Sequence, residues 1–531
     1  AAAAAVAVGG GVLAVRAQPS PCAALHDDDR GPWAADERAA LAAHIAASSQ
    51  HDAAALAARV DAALADYGVA WTRMRTEACE AHRVHGEQSA SLFDQRLAGL
   101  ERRRAAAAGP SEVVREADAD AVPLFELVPA VRGLPRIDDC ADAEALAAVV
   151  PLPGDDEARA AIAAATASLE RAWSRRYLFW EREPLLAPVT AIAEVARAHD
   201  YPPLEAKALS LLSDLHDDAG EYEEAAQALH QGLRAAAAAH DDRTAALLAI
   251  KLVAVLSLGQ RQYAQAETAA RLAEALLVRA DSPEQDWGGL RSAQAMVARL
   301  QGHHSEAVAL HREALARIDA DPNATAGERA GERNNFAGTL MHMGRHAEAA
   351  VLIDEALALV RPELGERHPV VASMLQTQGA NASEAGELST AYAAAERAHA
   401  IHAELLGPRS LIAGDSLDNL AVIERGMGRL AIAQAHAREA VAILEAALGP
   451  DHAEVGDAIW NLALVEADLG ECAASAAHLR KALAIATAVG GAQGPDVAQI
   501  REHMALPCPP PPGDTSARDG SPGSVSDPQE P

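Results

Sequence analysis

The residues equipped for chemistry are sparse and poorly grouped. Of 21 histidines, the notable ones (His303-His304, His342, His346, His368 and His452) show neither HExxH nor any other metal-ligand spacing, and read as surface or turn residues. Five cysteines (Cys22, Cys79, Cys140, Cys472, Cys508) contain no CxxC pair, so zinc and iron–sulfur spacings are missing. Three of them fall within the first 140 residues and suit a disulfide if that segment is extracytoplasmic. Cys472, on an Ala-rich helical stretch, reads as a small buried apolar residue, and Cys508, among prolines, as an exposed one. Gly9-Gly-Gly11 sits in an apolar run without lysine or strand context, so it is no phosphate loop. There is no GxSxG, and none of the glycine loop, strand lysine, HRD-type or DFG-type motifs of a kinase. No active site, cofactor or metal is therefore expected in this chain.

Charge narrows the partners. Lys+Arg is 45 against Asp+Glu 76, a formal net charge of -31 over 531 residues. Counterion release from phosphates needs a basic face, so nucleic acid is not an expected partner. Half of the residues are hydrophobic (50%) but only 3% aromatic. The apolar share is mostly alanine, which favours helices and fills little volume, so thin helix-on-helix cores are expected.

The elements that must position any site show themselves by period. Gly302, Gly344, Gly386, Gly428 and Gly470 are 42 residues apart. Five residues after them stand Ala307, Ala349, Ala391, Ala433 and Ser475, and twelve after them Ala314, Ala356, Ala398, Ala440 and Ala482. Leu364-Gly365, Leu406-Gly407 and Leu448-Gly449 keep the same interval, as do Asn335, Thr377, Asn419 and Asn461. Looser copies lie at Gly220 and at Gly259, the latter shifted by two. Each glycine falls where one helix must stop and reverse, a position that favours φ > 0. The small residues after it let two helix axes approach. Each unit is then a helix pair that buries its apolar face only by stacking on its neighbours.

The small residues before the turn (Ala337, Ala421, Ala463), the turn glycine and the two alanines of the second helix resemble the tetratricopeptide repeat. The 42-residue length, with Leu364-Gly-Glu-Arg-His368 and Leu448-Gly-Pro-Asp-His452, is similar to the kinesin-light-chain type; the third copy, Leu406-Gly-Pro-Arg-Ser410, lacks the histidine. The resemblance implies an all-α fold, with about eight helix pairs over 155–490 in a right-handed superhelix (an α-solenoid), including a degenerate copy around Tyr177. In such a superhelix the first helix of each pair lines the concave face. Ten residues before each turn glycine this places Asn334, Gln376, Asp418 and Trp460 in one column, with His342, Glu384 and Arg425 two or three before it. An extended or helical peptide of another protein would meet this column. The alternative is a solvated helix face.

Residues 20–150 do not follow the beat and read as a small helical segment with helices near 35–60, 61–83, 88–107 and 111–132. Cys22, Trp33, Trp71, Cys79, Gly86-Glu-Gln-Ser89, Arg96 and Cys140 resemble, in order, the region after the membrane span of myxobacterial Hanks-type serine/threonine kinases that end in tetratricopeptide repeats. That family usually has Cys-Leu where this chain has Gly99-Leu100; if its cysteines pair, one of Cys22, Cys79 and Cys140 is left single. The alternative is a helical layer whose tryptophans fill its core. The resemblance implies a sensor or interaction region whose kinase domain lies upstream. Residues 1–18 form an apolar segment; as a helix, residues 1–15 would span about 22 Å, enough for the end of a transmembrane helix and a membrane tether. A targeting segment and an Ala/Gly linker are the other readings. Membrane association, with the repeats extracytoplasmic or else cytoplasmic, follows as an expectation. Pro507 to Pro531 is rich in Pro, Ser, Gly and Asp and reads as a disordered tail.

Overall fold

A computed structural model describes residues 6–8, 11–13, 22, 33–50, 53–120, 122–141, 150–179, 182–259, 261–322, 324–490 and 495–506. The expected tail at 507–531 and Cys508 lie outside them. The chain divides into two compact units, one of Ala1–Asp218, Glu223–Lys251 and Ala275–Asp281, the other of Ala219–Tyr222, Leu252–Glu274 and Ser282–Pro531.

At the amino end the apolar run departs from the helix weighed for it. Strands β1 (Val6–Val8) and β2 (Gly11–Leu13) pair antiparallel, with Val6 opposite Leu13 and Val8 opposite Gly11. The β-branched Val6, Val8 and Val12 and the Gly9-Gly10 dipeptide are hairpin composition, which outweighs alanine's helix preference here. Among the described residues, no helix is long and apolar enough to cross a membrane.

The first unit holds helices α1 (Ala35–Ala46), α2 (Ala53–Arg83), α3 (Ala90–Glu116) and α4 (Leu124–Arg132); Trp33 and Trp71, whose rings lie 5.2 Å apart, pack with Met74 of α2, Leu100 and Ala107 of α3, and Ile137 and Cys140. The break falls at 47–52, earlier than the boundary near 60 that the sequence suggested. Asp120 fixes it by accepting hydrogen bonds from Ser48 Oγ (3.1 Å) and the Ser49 N–H (2.6 Å). Conversely, α3 runs on through Gly109-Pro110. Gly109 packs so closely on the next helix, α5 (Asp156–Phe179), that a Cβ would stand 3.1 Å from Ser174 Oγ. That packing outweighs proline's missing donor.

The motif residues of this segment converge on a staple. Arg96 donates to Gln88 Oε1 (3.0 Å) and the Cys140 carbonyl (3.1 Å), and Gln88 Nε2 donates to the Ala78 carbonyl (2.5 Å). Ser89 caps α3 by accepting from the Leu92 N–H. Cys22 and Cys79 form a disulfide, and Cys140 is left single and buried.

After α5 come α6 (Glu183–Ala198), α7 (Pro202–Asp217), α8 (Tyr222–Ala238), α9 (Asp242–Ala254) and α10 (Tyr263–Arg279). The second unit continues with α11 (Glu284–Leu300), α12 (His304–Ala320), α13 (Ala326–His342), α14 (His346–Leu364), α15 (Pro369–Glu384) and α16 (Leu388–Leu405). It ends with α17 (Leu411–Gly426), α18 (Leu430–Leu448), α19 (Ala453–Asp468), α20 (Cys472–Gly490) and α21 (Pro495–Ala505). From α5 to α20 the helices alternate as first and second members of pairs, and the described residues of that span contain no strand. The fold is all-α.

The alanines after the turn glycines are sealed: Ala349, Ala391 and Ala433, and Ala356, Ala398 and Ala440, have 0% exposure. A further column of small residues lies on the first helices at Gly288, Ala330, Ala372, Gly414 and Gly456. There the isoleucine of the partner helix fits so tightly that a Cβ on Gly414 would stand 2.8 Å from Ile443, and one on Gly456 2.9 Å from Ile485. The loose copy shows what the turn needs: Gly259 closes a π-helical turn (Val255–Gly259), and Arg261, two residues on, takes the positive φ of 52°.

The Leu-Gly-x-x-His motif acquires a physical meaning. Gly365 and Gly449 end α14 and α18 at φ 85° and 86°. The histidine then caps the next helix: His368 Nδ1 accepts from the Val370 N–H, and His452 Nδ1 from the Glu454 N–H. Ser410 does the same with its hydroxyl, accepting from the Ala413 N–H, so the missing histidine is a change of cap, not a loss.

Gly428 has φ 75° and open space around it. Gly428→Val is expected to cost about 1–3 kcal/mol from backbone strain alone, and Gly428→Asn much less. Equal thermal midpoints for glycine and valine would refute this. Reduction of Cys22–Cys79, which closes a separation of 57 residues, is expected to cost about 4 kcal/mol; calorimetry with and without a thiol reductant measures it.

Candidate functional site

The first helices of successive pairs meet through a ladder of polar contacts at near-constant spacing. Arg299 on α11 meets His342 on α13, Nη1 to Nε2 at 3.1 Å. Gln376 Nε2 on α15 donates to Asp415 Oδ2 on α17 at 2.6 Å. Asn461 Nδ2 on α19 donates to Asp418 Oδ2 on α17 at 2.7 Å, and Arg425 Nε on α17 to Asp468 Oδ2 on α19 at 2.6 Å. The 42-residue period puts equivalent positions side by side on neighbouring helices, which is why these contacts recur.

Of the seven residues expected to face a partner, His342, Gln376, Asp418 and Arg425 are members of this ladder. Glu384 is exposed, with Oε2 3.9 Å from His346 Nδ1. Asn334 is half-buried, and its Oδ1 is a buried acceptor without a partner. Trp460 is half-buried too; His503 of α21 lies edge-on to its ring at 5.5 Å, and the indole N–H is buried without a partner. Asp418 is 9% exposed; its Oδ1 is likewise unpartnered.

Three carboxylates near Asp418 escaped the sequence reading. Asp415 stands three residues before it, Asp457 three before Trp460, and Glu454 on the first turn of α19. A signal was there, since Asp415 and Asp457 are 42 apart. All three are solvent-accessible. Burial pushes the Asp418 carboxyl up to about 7; the charges of Asp415 and Asp457 add to this and the Asn461 bond opposes it. Asp415 and Glu454 are crowded by protein even though solvent reaches them, and that partial desolvation raises both. The Gln376 bond offsets part of it at Asp415, while the Asp415 charge adds to it at Glu454. His342 is lowered by desolvation and then by Arg299.

One grouping has the order of a hydroxyl, base and acid. His311 Nε2 lies 2.9 Å from Thr339 Oγ1 and its Nδ1 2.7 Å from Glu332 Oε1. All three are sealed, at 2%, 0% and 3% exposure, so no substrate reaches them and the network satisfies core polar groups. Two further carboxylates, Glu424 and Glu466, are 1% exposed and meet His436 (2.8 Å) and His478 (2.7 Å) of the following helix, again 42 residues apart. Histidine in this chain thus caps helices and partners buried carboxylates, and His368 is buried, not superficial. Cys472 corrects another expectation: it opens α20 and is exposed, because the buried face there is taken by Ser475 and Leu479. Among the described residues, no three His, Cys, Asp or Glu side chains are grouped to hold a metal ion.

Asp418 yields a pH prediction. Its folded value near 7 lies above the ordinary 3.8, so the folded chain holds a proton that the unfolded chain has released. Stability from this group is therefore highest below about pH 4 and falls as pH rises to about 7. Asp418→Asn is expected to flatten that decline and to stabilise the chain at pH 8 by on the order of 2 kcal/mol. Parallel pH–melting curves for the two proteins would contradict it.

A tetratricopeptide repeat family model matches residues 332–404 and 412–488. None of the curated proteins matches the chain. Among solved structures, BtubC (BKLC) from P. vanneervenii is 21% identical, covering 51% of this chain and 98% of that one, with a TM-score of 0.34. Nearly identical TPR-like repeats of a kinesin light chain from Podosopora anserina are also 21% identical, over 37% and 93%, at a TM-score of 0.32. A Rap protein complexed with Competence and Sporulation Factor is 14% identical, over 76% and 99%, at 0.49. With their paired helices and φ > 0 turns, the two matched segments, residues 332–404 and 412–488, are tetratricopeptide repeats.

Proposed function

We propose that the chain is a non-catalytic docking scaffold that holds an extended or helical peptide segment of a partner protein along its first-helix face, around Asn334, Gln376, Asp418 and Trp460, with His342, Glu384 and Arg425 at its margin. One observation carries the reading. Of nine buried polar atoms without a hydrogen-bond partner among the described residues, three fall on three of the four column residues, at one phase of the repeat: Asn334 Oδ1, Asp418 Oδ1 and Trp460 Nε1. Buried polar groups are as a rule hydrogen-bonded, and each one left over costs on the order of 1–3 kcal/mol. A peptide backbone supplies both N–H donors and a carbonyl acceptor at intervals, the kinds of partner these groups lack.

A second reading, that this is the C-terminal sensor or interaction region of a transmembrane serine/threonine kinase, draws support from the Cys22–Cys79 disulfide. Such bridges persist in oxidising compartments, which suits an extracytoplasmic placement. The single Cys140 fits the departure at Gly99. Reading the coding sequence upstream of Ala1 tests it, and the absence of a kinase domain and a membrane span there ends it.

For the docking reading, the full chain and its Asn334→Ala, Trp460→Ala double variant are compared against a library of capped hexapeptides. Peptides retained by the parent are expected to lose about 2 kcal/mol of affinity or more, most of it from the aromatic truncation. Circular dichroism checks that the variant keeps its helices. Equal affinities would place binding on another surface and refute the site.

A further inference from the structure

Resting on the docking reading, we infer that the Asp418 end of the first-helix face is a subsite for one cationic side chain of the bound peptide, arginine above lysine. The geometry is a sealed acceptor under an open acidic rim. Asp418 lies at the base, 9% exposed, with Oδ2 held by Asn461 and Oδ1 unpartnered. Asp415 on the same helix face and Glu454 on the next first helix stay accessible around it. Among the described residues, no lysine, arginine or histidine forms an ion pair with Asp415, Asp418 or Glu454. The nearby Arg425 is engaged with Asp468. A carboxylate left buried without a cation is costly, and the favourable answer is an opposite charge brought in with its own hydrogen bonds.

The shape of the acceptor set selects the class of cation. No three of these groups are gathered closely enough for a metal ion. Acceptors spread over two helices suit a planar, five-donor guanidinium, which can bridge the accessible Asp415 and Glu454 above the Asp418 charge, better than a compact ammonium. The net charge of -31 favours the encounter.

The test uses the full chain and the capped hexapeptide library. Retained peptides are expected to share one arginine or lysine at a fixed position. Replacing that arginine by citrulline, its uncharged isostere, is expected to weaken binding at least tenfold. Asp418→Asn is expected to weaken the arginine peptide at least tenfold and to leave the citrulline peptide nearly unchanged. Because this variant is expected to melt no lower than the parent, loss of binding cannot be ascribed to unfolding. Retained peptides without a shared basic position, or arginine and citrulline forms bound equally, would overturn the cationic subsite and leave the docking face standing. Retention of no peptide, or of peptides indifferent to Asn334→Ala and Trp460→Ala, would overturn both.

Discussion

The spacing between helices governs everything else in the repeats, and alanine sets it. A core made of larger side chains would hold paired helices farther apart. Here Ala349, Ala391 and Ala433 and their later counterparts are fully sealed, and Gly414 and Gly456 admit isoleucines into the remaining space. Apolar burial per residue is small in such a core, so stability depends on close contact along the whole length of each pair. The same closeness brings successive first helices within hydrogen-bond reach, and so permits the contacts from Gln376 to Asp415 and from Asn461 to Asp418.

Some buried polar groups of this packing are paired and others are not. Between first and second helices, His311, Glu332 and Thr339 satisfy one another completely, and His436 and His478 each answer a buried glutamate. On the first-helix face, by contrast, Asn334, Asp418 and Trp460 keep atoms without partners. Elsewhere His304, Arg329, Arg361 and His402 also keep a buried polar atom without a hydrogen-bond partner, so what distinguishes the column is that three such atoms fall at one phase of the repeat.

The repeat was legible in the sequence because its signals are local: a glycine that must take φ > 0 and small residues at fixed offsets from it. Gly428 and Ala433 needed no knowledge of distant contacts. The column through Asn334 and Asp418 was legible for the same reason, since a period fixes a phase. What escaped depends on contacts remote in sequence. The break at 47–52 is set by Asp120, some seventy residues away, and α3 passes Pro110 because Gly109 has a tight neighbour on α5. The roles of His368 and His452 escaped because histidine is an uncommon cap, and only the equivalent Ser410 would have suggested it. Asp415 and Asp457 carried the period but looked like ordinary surface acids until Asp418 was seen sealed behind them.

The exchange of His368 and His452 for Ser410 has a chemical corollary. An imidazole can accept an amide hydrogen bond only while its Nδ1 lone pair is free, so a histidine cap exists only in the neutral ring. Burial lowers the proton affinity of His452, which protects its cap into mildly acidic solution. Below that range the start of α19 loses its cap, whereas α17, held by a hydroxyl, does not. Acid would therefore loosen one first helix while its neighbour in the stack stays pinned.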